Sequence, residues 1–380
     1  MKLRTYQARA VDFLAARNGP AARALCVCPA GGGKTVIGAT ALAQAAQPWD
    51  RIGWACNTRE QMEQGEAALD RAGVKAAWVK CVAGITREDT ASLDFLVVDE
   101  VHHLPSASWS LIADACRGTI WGLTATPKST DPERNFWFAR FWGEGNTITI
   151  PRAEVLEGGH LAHGRVIILD LDQQGEFDAM IESAAQLESL KMARRFPMLD
   201  KQEIYRRAQW RTTLDLLINN PARNAAVVET ALMEIGRGQS VLVLVAEIEQ
   251  GERFAALIPD SIVAHSKMGA KKRKASIDAF RNGTLRCLIA TSLADEGLDV
   301  PRASVLILAT AGRSGAKLEQ RTGRVMRPHE GKGVGLVYDF ADQGASMARS
   351  QGLARRRVYK QLGYAVEISA FATNNFCQLN

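Results

Sequence analysis

Long apolar stretches are what this sequence most lacks. No run approaches the ~18 residues needed to cross a bilayer, so membrane transport has no support and no membrane partner is expected. The leading residues, MKLRTYQARAVDF, are polar with a helical pattern and do not read as a secretory leader. Cysteine is sparse. Of seven, only Cys26 and Cys28 lie close together, and no second pair stands at zinc-binding spacing. All seven are expected to be reduced packing residues of a cytoplasmic protein. His102 and His103 follow two acids instead of flanking a cysteine cluster, which argues against zinc. Charged residues make up 23% and apolar ones 47%, a globular balance that excludes disordered and fibrous classes. The net charge of +6 suits a polyanion partner without demanding one.

What is present is a rhythm of short apolar runs. Residues 24–28, 51–56, 77–82, 95–98 and 120–123 read as buried strands, apolar on both faces and bounded by polar, Gly or Pro positions. Helical segments such as 34–47 and 59–72 separate them. A second series follows at 240–245, 261–265, 285–290, 304–309 and 333–338. Strand–helix alternation predicts an α/β fold of two parallel-sheet units. Between the units, 172–221 is long, polar and helix-like, with a hinge before it at Glu157, Gly158 and Gly159. The expected division is a first lobe over 1–155, a hinge and helical insertion over 156–221, a second lobe over 222–345 and a basic tail over 346–380. The tail is expected to pack on the lobes, as a helix followed by a strand at 364–368.

Pro29, Ala30, Gly31, Gly32, Gly33, Lys34 and Thr35 sit between a predicted strand and a predicted helix, the context a phosphate loop requires. Glycine lets backbone N–H groups turn toward phosphate oxygens without Cβ clashes. The helix N-terminus favours anions. Lys34 can neutralise β- and γ-phosphates, and Thr35 can offer a hydroxyl to Mg²⁺. The strict pattern starts with Gly, where this chain has Cys28. The plain alternative is a glycine-rich turn before Lys-Thr. Further on, the apolar run from Leu93 to Val98 delivers Asp99 and Glu100 to a strand end, where ligands bind in open α/β sheets. Asp99 suits Mg²⁺, a hard cation, and Glu100 can orient and deprotonate an attacking water. The plain alternative is an acidic cap on the next helix.

With these motifs in place, Asp99-Glu100-Val101-His102 resembles the DExH box of superfamily 2 helicases. Leu3 to Gln7 resembles their Q motif, which implies that Gln7 and Arg4 contact adenine. Asn57-Thr58-Arg59-Glu60-Gln61 resembles motif Ia, implying nucleic-acid contacts at Thr58 and Arg59, although Thr58 and Gln61 equally fit a helix-capping pair. Gly122 to Pro127 resembles motif III, implying that Thr124 and Thr126, with His102, couple nucleotide to strand contact. Ala290 to Pro301 resembles motif V, implying that Thr291 faces the strand while Gly297 and Asp299 face ATP. Gln320 to Arg327 matches the QRxGRxxR of motif VI. Read as a helix, Gln320, Arg324 and Arg327 share one face, and guanidinium forks suit phosphate. The two arginines would then be arginine fingers. The resemblance covers residues from about 3 to about 340 and implies two RecA-like lobes, ATP and Mg²⁺ as ligands, and an active site completed by one chain.

Glu157-Gly158-Gly159-His160-Leu161 and Glu296 to Pro301 resemble the compact DNA-directed group that includes phage UvsW, RadD and XPB-like enzymes. This favours DNA over RNA as partner and implies an ATP-dependent DNA helicase or translocase. An RNA helicase, a duplex translocase that separates no strands, and a DNA-binding nucleotide switch stay open. Three basic stretches could add phosphate contacts. Residues 191–211 interleave Phe196, Tyr205 and Trp210 with basic residues, a stacking-and-backbone signature; the alternative is an amphipathic insertion with buried aromatics. Lys271 to Lys274 and Arg355 to Arg357 read as solvated surface.

Overall fold

In the computed structural model, the apolar runs become the central strands of two parallel sheets. The structure describes residues 3–103, 107–127, 131–159, 162–171, 177–291, 298, 300–312, 315–327, 329 and 332–371. Contacts divide the chain into two units, one of residues 1–161 with 296–298 and the other of 162–295 with 299–380.

In the first unit the strands are β1 (Arg23–Val27), β2 (Ile52–Cys56), β3 (Trp78–Cys81), β4 (Phe95–Asp99), β5 (Thr119–Thr124) and β6 (Thr147–Thr149). Their order is β3-β2-β4-β5-β1-β6, with every pairing parallel. All residues of β2, β4 and β5 are buried. Successive side chains point to opposite faces, so both faces of the sheet are covered. The edge strands β3 and β6 are only half buried or exposed. Helices α1 (Thr5–Ala15), α2 (Lys34–Ala45), α3 (Arg59–Ala72), α4 (Arg87–Ala91), α5 (Ala107–Ala115), α6 (Pro132–Trp142) and α7 (Arg152–Glu157) join these strands or flank them. Leu25, Leu96, Val98, Ile120 and Trp142 lie in one core cluster.

The second unit has β7 (Gly164–Leu171), β8 (Val241–Leu244), β9 (Ser261–Ala264), β10 (Cys287–Ala290), β11 (Val305–Leu308), β12 (Gly335–Ala341) and β13 (Ala365–Phe371). The order is β13-β7-β12-β11-β8-β10-β9, again all parallel. Strands β8, β10 and β11 are buried throughout. The helices are α8 (Asp178–Arg195), α9 (Lys201–Ile218), α10 (Pro221–Gly236), α11 (Ile248–Leu257), α12 (Ala270–Arg281), α13 (Gly315–Val325) and α14 (Ser346–Gln361). Helices α8 and α9 pair with each other, and their root packs on α14 through Ile181, Leu217, Ala345 and Ala348. They fall in the same unit as the second sheet.

Two strands were not anticipated. β6 has three residues. β7 pairs between β12 and β13, whose partner residues lie far along the chain. The tail also differs from expectation at Arg355, which is buried. Its guanidinium donates to both Asp339 oxygens at 2.8 and 2.9 Å, and Tyr359 Oη donates to Asp339 Oδ2 at 2.8 Å. The described cysteines, Cys26, Cys28, Cys56, Cys81, Cys116 and Cys287, form no disulfide. Among the described residues, no helix is long and apolar enough to cross a membrane.

Candidate active site

Strands β4, β5 and β1 are neighbours in a parallel sheet, so their C-terminal ends open on one edge. Asp99 lies opposite Leu123, and Val27 lies opposite Thr124. The turn after β1 therefore meets the acids that end β4 and the threonines that end β5.

The turn is shaped by its glycines. Gly31 and Gly33 hold φ of 84° and 86°, a left-handed region that costs most residues free energy. A Cβ on Gly33 would stand 2.5 Å from Gln7 Nε2, and one on Gly32 would stand 2.5 Å from Cys28 Sγ. The start of α1 clamps the turn from outside. Tyr6 Oη and Gln7 Nε2 both donate to the Gly32 carbonyl, at 3.0 and 3.1 Å. Gln7 Oε1 accepts from the Arg4 backbone N–H, and Arg4 Nη1 donates to Tyr6 Oη. Arg4 and Gln7 thus sit beside the loop, and Tyr6, which the sequence reading passed over, joins them.

At the head of α2, Lys34 Nζ lies 3.2 Å from Glu100 Oε1. Glu100 itself has φ of 51°, unusual for a residue with a side chain. Its N–H donates to Asp99 Oδ1 at 2.9 Å. His102 Nδ1 lies 3.4 Å from Glu100 Oε2 and 3.1 Å from Thr124 Oγ1. Thr124 Oγ1 accepts from the Thr126 N–H, and the Thr124 carbonyl accepts from the Cys28 N–H. One polar chain therefore runs from the loop lysine through the acids to both threonines and back to the loop.

Electrostatics separates the two acids. Burial, reinforced by the neighbouring Glu100, raises Asp99 above the usual carboxylate range. Burial acts on Glu100 in the same direction, but Lys34 and His102 outweigh it and hold Glu100 below that range. Lys34 is raised despite burial, because Glu100 and Asp99 favour its charge. A buried aspartate with excess negative charge beside it is a fitting place for a divalent cation. Asp99 and the Thr35 hydroxyl are oxygen donors of the hard kind that Mg²⁺ would take. Among the described residues no group of three or more His, Cys, Asp or Glu could hold a metal. Phosphate and water oxygens would have to complete the shell, as is usual for Mg²⁺.

Thr58 caps α3. Its side chain accepts from the Gln61 N–H, while Gln61 Oε1 accepts from the N–H groups of Asn57 and Thr58. Arg59 is exposed, 3.9 Å from Glu63.

In the second unit, Thr291 follows β10 and is buried. With Ala246, Glu247, Ser266 and Lys267 it lines a hollow of about 340 Å³ at the C-terminal ends of β8, β9 and β10. Ser266 and Lys267 had no motif to flag them; their only signal was their place just after a strand. Gln320 and Arg324 lie on α13, with Arg324 buried. The expected shared face does not extend to Arg327, because α13 stops at Val325. Arg327 precedes Pro328, and a residue before proline is driven from helical geometry. Gly297 and Asp299 lie outside the described residues. The Lys271–Lys274 stretch opens α12 with Lys271, Lys272 and Lys274 exposed and Phe280 buried beneath.

Both sheets are RecA-like lobes, and the comparisons agree on that class. The chain aligns with yeast (S. cerevisiae) Dbp5 bound to RNA and ADP BeF3 at a TM-score of 0.60, 15% identity, over 97% of this chain and 90% of that one. It aligns with the Type ISP restriction-modification enzyme LlaBIII bound to DNA at 0.64 and 13% identity, over 99% of this chain and 32% of that one. At such identities the likeness concerns the fold. Residues 223–329 match the helicase conserved C-terminal domain, and residues 83–129 match the type III restriction enzyme res subunit. The chain belongs to superfamily 2 of the helicases. It is 24% identical to the DNA 3'-5' helicase XPB of Mycobacterium tuberculosis over 96% of its length, and 23% identical to the DNA 3'-5' translocase XPB2 of Sulfurisphaera tokodaii over 69%. A protein of Sulfolobus islandicus filamentous virus named as a candidate helicase is 30% identical over 67% of the chain. The chain spans 64%, 61% and 43% of the length of these three relatives.

Proposed function

We propose that the chain is an ATP-driven DNA motor that hydrolyses ATP at the β1, β4 and β5 strand ends and uses the energy to move on, and open, duplex or branched DNA. The observation that carries this reading is the Lys34–Glu100 pair at 3.2 Å, linked through His102 to Thr124. The N–H groups of residues 30–33 and the Lys34 ammonium receive the phosphates. Arg4 and Gln7, beside the loop through the Gln7–Gly32 hydrogen bond, would contact the base. Thr35 and Asp99 would hold Mg²⁺, which neutralises charge on the β- and γ-phosphates when bound. Glu100 accepts the proton of the water that attacks the terminal phosphorus; ADP leaves with the electrons of the broken bond. As long as Lys34 pairs with it, Glu100 is a weak base. Phosphate draws Lys34 away and strengthens Glu100 when substrate is present.

Gln320, Arg324 and Arg327 belong to the other unit, so turnover needs both. Gly297 and Asp299 would join them at the nucleotide. Thr291, with Lys267 beside it, and Thr58 with Arg59 are the proposed backbone contacts, and His102, Thr124 and Thr126 relay nucleotide state to them. DNA is favoured over RNA by the relatives named as DNA 3'-5' helicases. A second reading, translocation on duplex without strand separation, takes its support for translocation from the name of XPB2 of Sulfurisphaera tokodaii, a DNA 3'-5' translocase. The test combines ATP hydrolysis with single-stranded DNA, duplex, forked DNA and RNA and a strand-displacement gel. Stimulation by DNA supports the motor. No stimulation by any nucleic acid removes it, and stimulation by RNA alone transfers it to RNA.

A further inference from the structure

Helices α8 and α9 form a hairpin whose root is packed and whose tip is not. Each has 18 residues, and residues near Phe196 lie roughly 20 Å along the helix from the anchoring Ile181. The turn between them reads Phe196-Pro197-Met198-Leu199. Turns are normally polar, yet Met198 is 95% exposed and Phe196 39%. Neither side chain is needed to close the turn. Asp200 does that by accepting from the N–H groups of Gln202 and Glu203, and the Phe196 N–H returns to the Met192 carbonyl.

Cations surround this apolar tip. Lower on the hairpin, Lys191 and Arg211 pair with Glu188, and Arg206 and Arg207 with Glu203. At the tip, Arg195 lies over the Phe196 ring at 5.5 Å. Among the described residues, Arg194 and Lys201 have no carboxylate within ion-pair distance. An exposed ring and thioether flanked by uncompensated cations match a ligand that has both a flat apolar face and anionic phosphates. Nucleic acid at an open junction is such a ligand. Apolar side chains inserted between base steps unstack them, and stacked bases tolerate any sequence. The two tip side chains fall far short of the ~800 Å² per partner of a stable protein interface.

We infer that the α8–α9 tip is the strand-separating element of the motor: Phe196 and Met198 enter the junction and stack on the terminal base pair, while Arg194, Arg195 and Lys201 hold the adjoining phosphates. This rests on the proposed DNA motor activity and decides between its two forms, since a chain with such a wedge separates strands.

The test uses the full chain with the paired substitution F196S and M198S. Both residues are exposed, and a thermal melt matching the parent verifies the fold. Three readouts are compared with the parent: DNA-stimulated ATP hydrolysis, displacement of a triplex strand as a measure of translocation, and unwinding of a forked duplex. A fork carrying 2-aminopurine at its junction adds a fourth, read without ATP. The wedge predicts hydrolysis and triplex displacement within about twofold of the parent, but unwinding slowed about tenfold or more and the 2-aminopurine rise lost. Unchanged unwinding by the variant overturns the wedge while the motor stands. So does a parent that translocates but unwinds nothing. Leu187 and Leu190 are also exposed on α8, set back from the tip. Unwinding lost on L187S with L190S, but kept in the tip variant, overturns the wedge in favour of a protein docked on α8. A parent with no DNA-stimulated hydrolysis removes the motor, and the wedge with it.

Discussion

Oε1 of Glu100 lies 3.2 Å from Nζ of Lys34, so the residue after β4 and the residue that opens α2 share one charge pair. Each is the other's main source of electrostatic stabilisation. On the proposed reading, an incoming phosphate would compete with Glu100 for the lysine. Glu100→Gln removes the competitor and the proposed base together. The variant is expected to bind MgATP as tightly as the parent or a few-fold more tightly, while turnover falls about 100-fold or more. Titration with a fluorescent ATP analogue and steady-state hydrolysis measure both. Weaker binding, or turnover near that of the parent, contradicts the assignment.

Gly33→Ala addresses the loop. The added methyl meets Gln7 Nε2 at 2.5 Å, and φ of 86° disfavours any side chain. Relief would require breaking the Gln7–Gly32 hydrogen bond. Nucleotide affinity is expected to fall about tenfold or more, with a stability loss of about 1–3 kcal/mol. Gly73→Ala serves as comparison. Its φ is 72°, but no atom stands within 4 Å of the added Cβ, so nucleotide affinity should not change. Equal nucleotide affinity in parent and Gly33→Ala would remove the loop's proposed role.

Arg355 and Arg357 are two residues apart and should behave differently. Arg355 is buried against Asp339, while Arg357 is exposed. Arg355→Ala leaves a buried carboxylate unpaired and is expected to cost about 3–5 kcal/mol. Arg357→Ala should stay within about 0.5 kcal/mol. Urea unfolding of both variants provides the comparison, and similar midpoints would contradict the buried pairing.

The second unit should lose stability in alkali. Tyr338 Oη donates to Glu234 Oε1 at 2.7 Å, and Tyr359 Oη donates to Asp339 Oδ2 at 2.8 Å. Burial, with the adjoining carboxylates, raises both phenols above their ordinary value. A raised folded pKa means the protonated form is favoured by folding. Its stabilisation is complete below the unfolded value near 10 and declines as pH rises above it. Melting temperature is therefore expected to fall with increasing slope above about pH 10, and Tyr338→Phe should reduce that fall. A variant with the parent's alkaline slope would show that Tyr338 does not contribute.

Most strands of both sheets were legible because a parallel strand buried on both faces is an unbroken apolar run, as over residues 95–98 and in Val305–Leu308. β6 was not, since three residues at a sheet edge carry no such run. β7 contains Val166 to Leu169, but its neighbours β12 and β13 lie beyond residue 330, and no local pattern states a partner. That the glycine loop, Lys34, Asp99 and Glu100 would meet at one sheet edge was readable, because the motifs depend on residue type at fixed spacing and on strand ends. Burial of Arg355 was not, because it depends on Asp339, sixteen residues away. Arg327 carried a contrary local signal: the helical period continues on paper, but the residue stands before a proline in the sequence, which disfavours helix there.

The central claim is that nucleic acid drives hydrolysis at this site. The most direct measurement is the steady-state ATP hydrolysis rate of the parent, Glu100→Gln and Arg324→Ala as forked DNA is added. The account predicts that the parent's rate rises about tenfold or more to a plateau, while both variants stay near background. A parent rate that forked DNA leaves unchanged, or a Glu100→Gln rate that rises like the parent's, would contradict it.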